Sequence, residues 1–297
     1  MKENIEIHCC DNIDLMQKIP KESIDLIYCD ILFGTGKKLK DYQDLKPIKE
    51  DIDAHYHPRI KEMHRILKKT GSIYLQMDNR INHWVRLICD CYFGYENFRN
   101  EIIWKYETSG RRSKNKYYKK HDTILFYGKG EDVLVEDTYL EIIDNNYNGY
   151  LQDEKGWFQT TGTGDYTDSS IEKLKKDGKI YTNNKGKNYL KIYLVEKNGK
   201  LYKEKQMGDV WDDIKTFGTV EKEIKMQKTG YITQKPKELA ERIIKASSLK
   251  GDIVADFYMG SGTVAEVCDE LDRRFIGCDI NPAAIDIAKK RVKSFNG

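Results

Sequence analysis

The sequence predicts an α/β fold, a mixed and mostly parallel sheet with helices on both faces. Two observations carry that expectation. Apolar strand-like runs alternate with stretches whose apolar residues recur at helical spacing, at both ends of the chain. Two of those strands end in a carboxylate, Asp30 or Asp256, and lead into a glycine-containing loop, where open sheets of this class keep their ligand crevice. The chain's 297 residues suit one large domain or two smaller ones.

Residues 4 to 9 read as a first strand, 12 to 18 as a helix and Ile24 to Asp30 as a second strand, which together make a β-α-β unit. His57, Ile60, Met63, Ile66 and Leu67 recur at helical spacing, and Thr70-Gly71 is expected to end that helix. Ser72 to Met77 is a strand, Ile81 to Phe93 a helix, and Phe98 to Tyr106 and Thr123 to Tyr127 are further strands. Residues 1–130 therefore form one α/β part. From 131 to 207 Gly, Asn, Thr, Tyr and Lys dominate, and KIYTNNKGKNYLKIYLVEKNGK predicts short strands joined by Asn/Gly turns. This strand-rich insertion has little helix and suits recognition better than chemistry. Regular pattern returns in 208–297: Pro236 opens a helix to Ser247, Asp252 to Asp256 is a strand, and Met259 to Gly262 is a tight turn. Thr263 to Leu271 is a helix, Arg274 to Asp279 a strand, and Asn281-Pro282 caps and starts a last helix.

No run is apolar enough to span a bilayer and the first residues lack a signal peptide's pattern, so the expected location is the cytoplasm. Seven cysteines, an odd number without a CxxC pair, read as small core residues rather than metal ligands. A net charge of +3 says little by itself. Its distribution says more. KYETSGRRSKNKYYKK, residues 105–120, holds seven Lys or Arg against one Glu with tyrosines between them, which suits phosphate contact and base stacking. Arg111, Arg112, Lys114, Lys116 and Lys119 are the candidate nucleic-acid contacts.

VADFYMGSGTVAE joins a strand, Asp256, the turn Gly260-Ser261-Gly262 and a helix, with Asp279 ending the next strand. Glycines let a ligand approach the backbone, and a carboxylate on the neighbouring strand can take ribose hydroxyls, so a nucleoside-type cofactor is expected. Gly260, Gly262 and Ala265 also satisfy a dinucleotide fingerprint, which admits an oxidoreductase. Chain order disfavours it, because too few residues follow Asp279 for a second nucleotide-binding half. The N-terminal strands must complete the sheet, which brings Asp30 beside the glycine turn in a circularly permuted order.

In that order the sequence resembles the β group of DNA amino-methyltransferases, over nearly the whole chain. Asp30-Ile31-Leu32-Phe33 falls on the family's Asp-Pro-Pro-Phe/Tyr motif, and Gly34-Thr35-Gly36-Lys37 continues it. ILKKTGSIYLQMD, NFRNEIIWKY, HDTILFYGK, DVWDDI and TGYITQKP match further family segments. The resemblance implies a Rossmann-like domain that binds S-adenosylmethionine and acts on double-stranded DNA, with a homodimer and a cognate restriction endonuclease as further partners it admits. It places Asp11 near the cofactor adenine, Asp30 beside the cofactor, Thr233 and Lys235 at the tenth motif, and Asp256, Phe257, Gly260, Gly262 and Thr263 in the cofactor loop. Asp279 becomes the ribose acid. Asp30 and the carbonyl of Ile31 would accept the two hydrogens of a flipped base's amino group, and Phe33 would stack on that base. Asp at the first motif position favours adenine N6 over cytosine N4, which stays open. Both motif prolines are replaced by Ile31 and Leu32. Losing their fixed φ is expected to let the loop wander, at about 0.4–1 kcal/mol per site, and a catalytically silent cofactor- and DNA-binding homologue is the competing reading.

Overall fold

The computed structural model describes residues 4–38, 43–107, 114–115, 117–136, 138–142, 149–217, 227–231 and 233–292. Two compact units divide the chain, one of residues 1–136 and 208–297 and the other of residues 137–207.

The first unit opens with strand β1 (Ile5–Cys9), helix α1 (Asn12–Met16), β2 (Ile24–Asp30), α2 (Lys49–Ile66), β3 (Leu67–Met77), α3 (Asn82–Phe93), β4 (Phe98–Lys105) and β5 (His121–Gly128). The expected helix end at Thr70-Gly71 is corrected. Leu67 turns extended, at φ −69° and ψ 136°, and its backbone pairs with Ile24, so the strand begins there. Gly71 lies inside β3, where an added Cβ would meet the carbonyl oxygen of Asp25 at 2.9 Å. It permits a close approach of two strands rather than ending a helix.

The second unit holds β6 (Thr138–Ile142), β7 (Leu151–Asp153), β8 (Gly156–Gly162), α4 (Asp168–Lys176), β9 (Ile180–Thr182), β10 (Asn188–Tyr193), β11 (Val195–Lys197) and β12 (Lys200–Gln206). They form two antiparallel sheets, ordered β7-β8-β10-β9 and β11-β12-β6. The turn Asn198-Gly199 has positive φ at both residues, 54° and 69°, as a tight hairpin requires. Helix α4 is an addition to the expected strands; Thr167 caps it by accepting from the Ser170 N–H, and three lysines close its last turn. The unit begins at 137 rather than 131, because residues 131–136 are tied to the first unit. Glu136 N–H donates to the Ala246 carbonyl at 2.8 Å, and the Leu134 carbonyl accepts from Ser247 Oγ at 3.1 Å.

The first unit resumes with β13 (Val210–Trp211), α5 (Lys237–Ser247), β14 (Ile253–Asp256), α6 (Thr263–Glu270), β15 (Arg274–Asp279) and α7 (Pro282–Arg291). Its sheet has the order β1-β15-β14-β2-β3-β5-β4-β13, with β5 antiparallel to both neighbours and the other pairings parallel. The two C-terminal strands thus sit between β1 and β2, so Asp30 and Asp256 end neighbouring strands. Both faces are covered. Ile27, Cys29 and Ile31 join the core built with α1, α2 and α3. The alternate residues Leu26 and Tyr28 are buried on the opposite face, where Tyr74 of β3 bonds Ser247 of α5 at 2.8 Å. Among the cysteines, Cys29, Cys89, Cys268 and Cys278 are core residues, but Cys9 and Cys91 are exposed, against expectation. Among the described residues no helix is long and apolar enough to cross a membrane.

Candidate active site

Asp30 ends β2 on the face of Leu26 and Tyr28, as the period of two requires. Its Oδ2 accepts from Lys235 Nζ at 2.6 Å, while Oδ1 is buried with no partner among the described residues. Burial raises its pKa to about 6 against the opposing pull of Lys235. A buried acceptor left unbonded is costly, so this oxygen is open to a hydrogen from a water or a ligand.

Residues 31–35 after Asp30 are tied down by hydrogen bonds. Ile31 is buried in the core, its N–H donates to the Gln76 carbonyl at 3.0 Å, and the Leu32 carbonyl accepts from the Tyr56 hydroxyl at 2.8 Å. Buried Asp44 then accepts from Gly34 N–H, Thr35 N–H, Thr35 Oγ1 and Leu45 N–H at 2.5–3.1 Å. Bonds to a charged acceptor are worth about 1.5–3 kcal/mol each, more than the 0.4–1 kcal/mol or so that each missing proline would supply. Gly34 completes the bend at φ +63°, where a Cβ would lie 2.5 Å from Ile81. The rigidity expected of prolines is supplied by a carboxylate and a tyrosine.

Across the crevice, Gly260 sits at φ +52° and its N–H donates to Asp279 Oδ2 at 2.9 Å, while Asn281 N–H donates to Oδ1 at 2.8 Å. Arg291 of α7 donates to Ser261 O, Ser261 Oγ and Thr263 Oγ1 at 2.9–3.1 Å and clamps the turn from behind. Asp11, Asp30, Ile31, Phe33, Thr233, Lys235, Asp256, Phe257, Gly260, Thr263 and Asp279 all line one crevice. Gly262 does not. It is the left-handed cap of α6 at φ +76°, and an added Cβ would lie 2.5 Å from the Ala288 Cβ, so its smallness serves the packing of α7. Gly262→Ala is expected to lose about 2–4 kcal/mol from crowding and backbone strain, read as a Tm lower by about 5 °C or more.

Burial also pushes the Asp256 pKa to about 8, with Asp30 and Asp279 adding to the rise, so its carboxyl is protonated at neutral pH. Asp11 caps α1 and is held by Arg59 at 3.0 Å, which also bonds Asn12 Oδ1 at 2.8 Å. His55, one turn before Arg59, lies 2.9 Å from the Tyr258 hydroxyl. Burial, then Arg59, lowers its pKa to about 4, so it is neutral at pH 7. Behind Asp30 a buried chain runs from the Tyr28 hydroxyl to Gln76 and on to Asp122, which also accepts from Tyr106. Sequence reasoning missed His55, Arg59 and this chain. The i,i+4 spacing of His55 and Arg59 was visible, but not the partner each would face.

A family model for DNA methylases matches residues 24–290. The chain belongs to this DNA methylase family. Among its relatives, the DNA adenine methyltransferase YhdJ of Escherichia coli (strain K12) is 29% identical over 285 residues, 95% of this chain and 80% of that protein. The type II methyltransferase M1.MboII of Moraxella bovis is 27% identical over 290 residues, 97% and 96% of the two chains. Two solved structures share the fold. The cytosine-N4-specific PvuII DNA methyltransferase superposes with a TM-score of 0.61 at 14% identity, covering 97% of this chain and 86% of that one. The complex of M1.HpyAVI with SAM gives 0.53 at 17% identity, covering 97% and 98%.

In this DNA methylase the expected basic contacts divide. Lys119 is committed inward, with Nζ 2.6 Å from Asp78 Oδ2 and 3.0 Å from Asp122 Oδ1, so it is corrected from a surface cation to part of the network behind Asp30. Lys114 is exposed. Arg111, Arg112 and Lys116 lie outside the described residues.

Proposed function

We propose that this DNA methylase transfers a methyl group from S-adenosylmethionine to the N6 amino group of an adenine flipped out of double-stranded DNA. One observation carries the reading: the unpartnered buried Oδ1 of Asp30 lies in the same crevice as the glycine turn and Asp279. The crevice fits the cofactor. Gly260 keeps its left-handed bend free of a side chain that would crowd Tyr231 at 3.2 Å. Asp279 would accept from the ribose hydroxyls, Asp11 would face the adenine, and Thr233, Phe257 and Thr263 of the same crevice would hold what lies between. When bound, the cofactor supplies an electrophilic sulfonium methyl.

The protein's part is to make a poor nucleophile better. The lone pair of an aromatic amine is delocalised into the ring, and Asp30 Oδ1 accepting one amino hydrogen, with the Ile31 carbonyl accepting the other, localises it. Phe33 offers its ring to the base. Fixing the carboxylate, the carbonyl and the ring on one loop would align the amine for in-line attack, the N–C bond forming as the methyl–sulfur bond breaks, the thioether leaving and the extra amino proton passing to Asp30. Aspartate at the head of the motif and the likeness to the Escherichia coli DNA adenine methyltransferase both favour adenine. Residues 137–207 and the basic stretch at Arg111, Arg112 and Lys114 are assigned to target recognition. The type II relatives suggest a restriction endonuclease as its counterpart.

Mixed-sequence duplex DNA incubated with the enzyme and methyl-labelled S-adenosylmethionine should retain label in the DNA. Cofactor binding by calorimetry without label in DNA would establish the silent homologue instead. Because the ionised carboxylate is the much stronger acceptor for an amino hydrogen, and burial raises the Asp30 pKa to about 6, transfer is expected to be full above that pH. It should fall about tenfold per pH unit below it, measured as single-turnover rate against pH.

A further inference from the structure

The two oxygens of Asp30 are not equivalent. Oδ2 is bonded to Lys235 at 2.6 Å, and Oδ1 is buried with no partner among the described residues. Lys235 precedes Pro236, the residue that caps α5, and reaches Asp30 across 205 positions of sequence. Its own carbonyl accepts from Thr263 Oγ1 at 3.4 Å, and its ammonium lies 4.8 Å from the centre of the Phe33 ring. One residue is thereby tied to the glycine turn, the carboxylate and the aromatic platform.

We propose that Lys235 is a positioning residue that holds Asp30 through Oδ2, keeps it ionised and reserves Oδ1 for the amino group of the target base. This rests on the methyl-transfer reading above. The charges around Asp30 support it. Asp122 is the neighbouring acid that pushes the Asp30 pKa up, Asp256 beside it is protonated at neutral pH, the Tyr106 hydroxyl donates to Asp122 and the Tyr28 hydroxyl to Gln76. Lys119 is the other neighbouring cation, but its bonds go to Asp78 and Asp122. Lys235 is therefore the cation that bonds Asp30 itself. A lysine that served only the cofactor would be expected to avoid this carboxylate, and one that served only packing would not need three tethers.

The test removes the charge and follows the carboxyl. An opposite charge in contact lowers a carboxyl pKa by about 1–3 units, so Lys235→Met should raise the Asp30 midpoint by that amount. With ¹³C-labelled aspartate, NMR titration of the cofactor-free protein should show that rise. Single-turnover transfer by the variant should be about tenfold lower at pH 7, recovered near pH 9, and restored at pH 7 by Lys235→Arg. Lys235→Gln serves as the neutral variant should Met disturb folding. An unchanged midpoint in the neutral variants, with only the cofactor KM raised, would overturn the proposal. Wild-type enzyme that transfers no methyl at all would overturn the methyl-transfer reading instead, and the carboxyl titration would still decide what Lys235 does.

Discussion

Asp30→Ala should lower methyl transfer by about 10²- to 10⁴-fold, the usual range for removing a group that exchanges a proton or hydrogen bond with the reacting atom. Cofactor affinity should stay within a few-fold of wild type, because the glycine turn is fixed from elsewhere. Gly260 is held by Asp279 and Ser261 by Arg291, and neither bond involves β2. Removing the carboxylate also leaves Lys235 without its acceptor in a half-buried place, so unfolding of the variant should be followed alongside. Turnover is measured with saturating cofactor and DNA, and binding by calorimetry. Turnover near wild type would show that the reacting amine meets a different acceptor.

Asp279→Ala should act in the opposite sense, weakening the cofactor about 10- to 100-fold, from the 1.5–3 kcal/mol or so that a hydrogen bond to a charged group carries. The same carboxylate accepts from the N–H groups of Gly260 and Asn281. Its loss therefore slackens the turn as well as removing the ribose acceptor. Raising the cofactor concentration should recover most of the transfer rate, since Asp30 and its loop are untouched. A variant whose rate stays low at saturating cofactor would mean that Asp279 acts on the chemistry and not on binding.

Much of the crevice could be read from sequence because it lies on local patterns. Strand β2 is an apolar run closed by a carboxylate, and its bounds are found where the residues put them. Asn281-Pro282 caps and starts α7 as its residue types dictate, with Asn281 Oδ1 accepting from Ala283 N–H at 3.0 Å. The glycine turn is legible too, but sequence shows that a glycine is needed at 262 without showing that Ala288 packs against it.

What could not be read depends on pairs far apart in the chain. Asp44 steadies the loop at Gly34 and Thr35, and Tyr56 holds Leu32 from a helix 24 positions away. Neither has a motif of its own. Without them the replaced prolines look like a loss of order, when the loop has only changed what orders it. The same applies to Lys119, whose place in a basic run suggested a surface contact but whose bonds go to two buried acids. Composition gives the charge of a stretch and leaves open which of its members turn inward.

The identity of the methylated base decides whether Asp30 serves transfer to adenine. Duplex DNA treated with enzyme and isotopically labelled S-adenosylmethionine is digested to nucleosides and analysed by mass spectrometry. The label should appear in N6-methyladenine and be absent when Asp30→Ala replaces the wild type. Label in N4-methylcytosine, or in neither base while the cofactor still binds, would contradict it.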